Sequence, residues 1–401
     1  MPIVQNSRSG LGHPVVAAIA LALALLPIAP AAAQSPTLTS GTPEDVGMSA
    51  AVLEAGVGLF REAVDRGDLV GAVLLVARDG KVVLHEAIGS RNAEAGLPME
   101  RNTMFRMASN TKPVVATGIA MLVEREKLAY DAPVRTYMPS FDNYRAGFIQ
   151  VGHLLSHTAG FRINTLFLRP LLERSAEHPD APNLKLEVAR FGEVGAAVTP
   201  GTTYSYSNPG YNTLGALIEI ASGLPLEEFL RREIYQPLGM ADTYHHEVAE
   251  KLDGKLDRMG AVYYEHQDGA WVPGWQPGDP PQVPFVRASG GLISTAWDYA
   301  VFLQTMLNGG SYGDARLLDP ETVAYMTSRR TPAGESPYGF GWAIYEDGSY
   351  GHNGSDGTFA WVDPERRIIG LVLTQTPRGR NPRQRFVELV KLAIEEPRPR
   401  T

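Results

Sequence analysis

Ser109 and Lys112 stand three residues apart in Ser109-Asn110-Thr111-Lys112, with Pro113 directly behind them. Proline is accepted in a helix only in the first turn, so a helix must begin here and Ser109 must lie at its N-terminus. Residues three apart share a helical face, which brings the Lys112 amine within reach of the Ser109 hydroxyl proton. The N–H groups of a first turn add positive potential where an oxyanion would form. The chemistry so described is nucleophilic acyl transfer. Taken alone, the same four residues also describe an N-capping Ser beside a solvated Lys. Phe105 and Met107 before them, and Val114, Val115, Ile119 and Leu122 after, argue instead for a helix packed into the core.

Two further groups could join that site. Tyr206-Ser207-Asn208 precedes Pro209-Gly210, which reads as a tight loop ahead of a helix starting near Asn212. A Tyr so placed can give or take a proton, and an Asn can hold an ester or amide by hydrogen bonds. Gly351-His352-Asn353-Gly354-Ser355-Asp356-Gly357 runs into an apolar strand, where glycines allow a substrate close to the backbone and strand-edge N–H groups can complete an oxyanion hole. Tyr263, Tyr264, Trp271 and Trp275 could line an apolar pocket or pack their own loop onto the body. His157 reads as a structural hydrogen-bonder. His246-Glu247 opens like a helical zinc motif, but Glu250 stands where the second His is required, so no metal is expected there, and nothing in the sequence requires a metal or an organic cofactor.

These groups need elements to hold them. Gly71–Val76 and Lys81–His85 flank Asp79-Gly80, a strong hairpin signal, and an amphipathic helix through Val52, Val57, Phe60 and Val64 precedes them. The other end mirrors this, with a hairpin of Thr358–Val362 and Ile368–Leu373 around Asp363–Arg366, then a helix through Phe386, Leu389, Val390 and Ile394. Both ends are expected to supply one antiparallel sheet. Between them lie helices at Pro113–Lys127, Asn212–Ala221 and Ala296–Leu307, while Leu171–Glu193 and Ala261–Phe285 read as irregular, proline-containing excursions.

Composition narrows the partners. The chain has 401 residues and a net charge of −8, which excludes an electrostatic nucleic-acid binder as the first reading. It has no Cys, which closes off disulfides, thiolate metal sites and Cys nucleophiles. Arg8, the apolar run Val15–Ile28 and Ala31-Ala32-Ala33 read as a secretory signal peptide over residues 1–33, so the protein is expected to be exported, periplasmic or secreted, with no membrane span after cleavage.

Ser109-x-x-Lys112, Tyr206-x-Asn208 and His352-x-Gly354, in this order, resemble the three motifs of the serine β-lactamase and penicillin-binding-protein-like family. Leu154–Gly160, Pro237–Met240 and Ser289–Thr295 are similar to segments of its class C-like branch, which also holds family VIII carboxylesterases, D,D-peptidases and D-aminopeptidases. The resemblance spans about Glu44 to Ile394. It implies an α+β, β-lactamase-like fold: an antiparallel sheet from both chain ends flanked by helices, with an inserted mainly α-helical lobe. In one domain, residues 34–401, the α/β lobe would take about 44–100 and 310–396 and the α lobe about 101–309. The resemblance makes Ser109 the nucleophile and Lys112 with Tyr206 the general-base pair. It assigns the oxyanion hole to the N–H groups of Ser109 and Ser355, and substrate contacts to Asn208, His352 and Gly354. Where many β-lactamases carry Lys, this chain has His352, largely neutral at pH 7. That weakens the reading as a true β-lactamase without identifying the substrate, and the leading reading is a carboxylesterase of small esters. A D,D-peptidase, a D-amino-acid amidase or a weak β-lactamase comes second, and a penicillin-binding or sensor protein without turnover third. The partner is a small ester, amide or lactam, and nothing in the sequence bears on oligomeric state.

Overall fold

Asp79 and Gly80 both adopt positive φ, 49° and 77°, the backbone a two-residue turn needs to match the twist of its strands. In this computed structural model, which describes residues 35–248, 254–377 and 379–395, that turn joins the strands Gly71–Arg78 and Lys81–Asn92. The expected signal peptide, residues 1–33, lies outside the described residues. The Gly71–Arg78 strand pairs antiparallel with Ile368–Thr374, which pairs with Thr358–Asp363, then Tyr350–Asn353 and Ala343–Ile344. Both chain ends therefore meet in one eight-stranded sheet. It departs from pure antiparallel pairing at its far edge, where Thr39–Ser40 lies parallel to Lys81–Val82.

The sheet is buried on both faces, so its central strands read as unbroken apolar runs rather than alternating ones. Side chains still alternate between two cores. Ala72, Leu74 and Val76 join Val57, Phe60, Phe386 and Val390 on one face, under the helices Ala50–Asp65 and Arg383–Leu392. Val73, Leu75 and Ala77 point the other way, into a core shared with Val114, Ile119, Leu217 and Phe302. This second core holds the helices Thr111–Glu124, Asn208–Ser222 and Ala296–Leu307, the last with the expected bounds. Thr295 caps it, its hydroxyl accepting from the Asp298 N–H.

Three local expectations need correcting. Pro209 and Gly210 are not a loop: the helix starts at Asn208, proline fits its first turn, and Ser207 caps it by accepting from the Gly210 N–H at 3.0 Å. The Leu171–Glu193 stretch contains a helix, Leu184–Val194, capped by Asn183 and buried through Leu184, Val188 and Phe191. The Ala261–Phe285 stretch contains a hairpin, Val262–Glu265 with Trp271–Trp275. Its aromatics chiefly fasten it down: buried Tyr263 donates to Glu94 and Trp271 donates to the Gly67 carbonyl. Among the described residues, no helix is long and apolar enough to cross a membrane.

Candidate active site

Met107 donates its N–H to the Leu292 carbonyl, and the chain then enters a single 3-10 turn, Ala108–Asn110, that leads into the helix starting at Thr111. Ala108 is left-handed, φ 47°, a conformation that costs a non-glycine residue free energy and persists only where its surroundings impose it. They do so here. Thr111 Oγ1 donates to the Ala108 carbonyl, Asn110 Nδ2 donates to Thr358 Oγ1 at 2.9 Å, and Tyr299 donates to the Asn110 carbonyl at 2.8 Å. Ser109 is thus presented from a clamped turn.

Lys112 is fully buried, and its Nζ has three oxygen partners: Ser109 Oγ at 3.0 Å, Asn208 Oδ1 at 2.9 Å and the Ser289 carbonyl at 2.6 Å. Burial, aided by the nearby Arg287 charge, holds the amine well below the usual lysine range. A neutral amine has two N–H donors and one lone pair. Two of its partners are carbonyl oxygens that can only accept, so in the neutral form they would take both N–H groups and the lone pair would face Ser109. Asn212 fixes the third partner, its Oδ1 accepting from the Ser289 N–H at 3.1 Å. Neither Asn212 nor Ser289 stands out as a site residue in the sequence, because this contact joins positions 77 apart.

Tyr206 lies on the other side of the amine, with Lys112 Nζ 4.7 Å from its ring centroid. Although Tyr206 is 43% exposed, desolvation around its hydroxyl pushes its pKa above the usual tyrosine value, partly countered by a hydrogen bond with Ser109. His157 packs against the Tyr206 ring at 4.3 Å and accepts the Ser207 N–H on Nδ1, the structural part expected of it. The site thus joins the Ser109, Lys112, Tyr206 and Asn208 that the sequence singles out.

The third motif behaves differently. His352 is buried, donating from Nδ1 to the Asn353 carbonyl and accepting from the Tyr338 hydroxyl on Nε2 at 2.9 Å. Burial pushes its pKa well down, so the ring is neutral. It stands behind Tyr206, ring centroids 6.2 Å apart, as a support for the aromatic wall. Gly354 serves packing rather than substrate approach, since a Cβ there would lie 2.1 Å from Thr358 Oγ1 and 2.4 Å from the Met107 carbonyl oxygen. Gly354→Ala is therefore expected to cost about 1–3 kcal/mol of stability, read as a lower urea midpoint, with a larger relative loss of activity because the Ser109 turn is pushed. An unchanged midpoint would mean that this close approach does not hold the turn.

Ser109, Asn208 and Ser355 open onto a cavity of about 190 Å³, also lined by Arg106, Leu166, Arg287, Ser289–Leu292 and Asp356. Among the described hydrogen bonds, the N–H groups of Ser109 and Ser355 have no acceptor, which leaves both available to an oxyanion. A Gly-x-Ser-x-Gly string at Gly309–Gly313 could suggest a second nucleophile, as on a strand-to-helix elbow. Its Ser311 instead pairs with Arg316 in a two-stranded hairpin.

A model of the family described as Beta-lactamase matches residues 57–393. A putative D-alanyl-D-alanine carboxypeptidase of Salmonella typhimurium is 28% identical over 397 residues, covering 87% of this chain and 88% of its own. EstCE1, a hydrolase with promiscuous acyltransferase activity, superposes with a TM-score of 0.69 at 25% identity, over 86% of this chain and 99% of its own. The octameric penicillin-binding protein homologue from Pyrococcus abyssi gives 0.68 at 27% identity, over 86% of this chain and 77% of its own.

Proposed function

The chain belongs to the Beta-lactamase family of serine hydrolases, and from that membership we propose that it is an exported hydrolase working through an acyl-enzyme on Ser109, most active on small carboxylic esters. The observation that carries this reading is the Lys112 amine, buried with two carbonyl acceptors and one serine hydroxyl. Ser109 Oγ attacks the substrate carbonyl and passes its proton to Nζ of Lys112. The tetrahedral oxyanion sits between the N–H groups of Ser109 and Ser355. Tyr206, kept protonated by its raised pKa, gives its proton to the departing alkoxide and recovers one from the Lys112 ammonium. Water then attacks the acyl-enzyme by the reverse of these transfers. The acceptor of Asn208 is spent on Lys112, so this residue orients the base as well as facing the substrate.

A second reading, hydrolysis of D-alanyl amides, is supported by the relative named as a D-alanyl-D-alanine carboxypeptidase. The two are separated by initial rates on a short-chain ester and a D-alanyl anilide, with Ser109→Ala as background. Faster Ser109-dependent turnover of the ester supports the esterase, and the opposite preference supports the peptidase.

The acid role of Tyr206 has its own signature. Tyr206→Phe is expected to slow alkyl ester hydrolysis by about 10²-fold or more, because an alkoxide needs the proton. A p-nitrophenyl ester, whose leaving group departs without one, should lose far less. Equal losses on the two esters would remove the acid role and leave Tyr206 a wall of the site.

A further inference from the structure

The cavity beside Ser109 carries two arginines that the acyl-transfer steps do not use. Arg106 Nε lies 3.0 Å from Asp356 Oδ2, and Arg287 Nε donates to Glu247 Oε1. Both acids are deeply buried, with side chains 11% and 1% exposed. Arg287 is thus gripped from behind through Nε, and Arg106 is held beside Asp356 by an ion pair. Among the described residues, no Nη atom of either has a hydrogen-bond acceptor, and both side chains line the cavity. Arg106 is steadied further by the Trp275 ring, 4.8 Å from its guanidinium carbon. Room for Glu247 depends on Gly291, where a Cβ would come within 2.6 Å of Glu247 Oε2 and φ is +122°. Two oriented guanidinium forks with unspent donors match a carboxylate better than any neutral group.

The side of the scissile bond follows from the proton donor. A leaving group must depart toward Tyr206, which protonates it. Ser109 and Ser355 line the cavity, whereas Tyr206, Lys112 and His352 do not. The cavity therefore receives the acyl half of the substrate.

We propose that Arg106 and Arg287 form a carboxylate-binding subsite for the acyl group, so that the enzyme prefers acyl chains ending in a carboxylate to neutral chains of similar length. This rests on Ser109 as the nucleophile and Tyr206 as the proton donor, and holds whether the bond cleaved is an ester or an amide.

The test compares kcat/KM for mono-p-nitrophenyl adipate and p-nitrophenyl heptanoate, each corrected with Ser109→Ala. The wild type is expected to favour the adipate by at least about tenfold at low salt. That ratio should shrink toward one as ionic strength rises from 0.05 to 0.5 M. Two paired variants remove each guanidinium together with the charge of its buried partner: Arg287→Met with Glu247→Gln, and Arg106→Met with Asp356→Asn. Each should collapse the ratio, and reading a ratio cancels any change in Lys112 that Arg287→Met brings to both esters. Turnover of both esters at a ratio near one, or a preference that neither folded variant alters, overturns the subsite while leaving the Ser109 reading intact. Absence of Ser109-dependent turnover on both esters overturns the Ser109 reading, and the subsite with it.

Discussion

Ser109→Ala is expected to lower kcat by at least on the order of 10⁴-fold while leaving the fold in place. The size follows from the steps it removes, since among the described hydrogen bonds no other serine hydroxyl reaches the Lys112 amine and no covalent intermediate can form. The stability change is small because Ser109 is only partly buried and the turn around it is clamped by other residues. Asn110, Thr111, Tyr299 and Thr358 make those hydrogen bonds, and none passes through the Ser109 side chain. The midpoint of denaturation should move by no more than about 1 kcal/mol equivalent. A variant that keeps more than a hundredth of wild-type turnover would contradict the nucleophile assignment.

Lys112→Met is expected to reduce kcat/KM by about 10²–10⁴-fold, the contribution of a positioned general base. Methionine keeps the buried volume and removes the lone pair. The same residue leaves a mark on stability. Its pKa in the folded protein is held well below 10.5, so between that lowered value and 10.5 the unfolded chain binds a proton that the native state does not. Stability therefore rises with pH through this window, and the lysine opposes folding most strongly at its acidic end. Lys112→Met removes that dependence. Against the variant, the wild type should gain stability from pH 7 to pH 9.5, read by urea denaturation. The variant has its own cost, because Asn208 Oδ1 and the Ser289 carbonyl lose a donor, so the slope with pH is the diagnostic quantity. Parallel curves for the two proteins would show an amine that titrates normally, and the neutral-base mechanism would fail.

What the sequence conveyed and what it hid have physical causes. Asp79-Gly80 demanded a two-residue turn and obtained one, and apolar runs at both ends announced a sheet buried on both faces. Ser-x-x-Lys with Pro113 placed its two groups on one helical turn, which local geometry alone nearly guarantees. The helix Leu184–Val194 escaped because Pro170, Pro179 and Pro182 dominate the stretch before it, although Leu184, Val188 and Phe191 have the helical interval. Pro209-Gly210 suggested a loop because both residues break helices in the interior, yet a first turn accepts them. The rest of the site is not local at all. Ser289 reaches Lys112 across 177 residues and Thr358 reaches Asn110 across 248, so no spacing rule could join them. His352 and Gly354 were found as a motif, but their burial decides what they do, and burial follows only from the packed sheet and the Ser109 turn.

The central claim is that a neutral Lys112 activates Ser109 and no other serine. The direct measurement is brief labelling of the protein with a fluorophosphonate, followed by intact mass and a tryptic map. Wild type should gain one adduct, located on the peptide Met107–Arg125, with labelling slowed by about 10²-fold or more in Lys112→Met. An adduct on any other peptide, or labelling at an undiminished rate in Lys112→Met, would contradict the account.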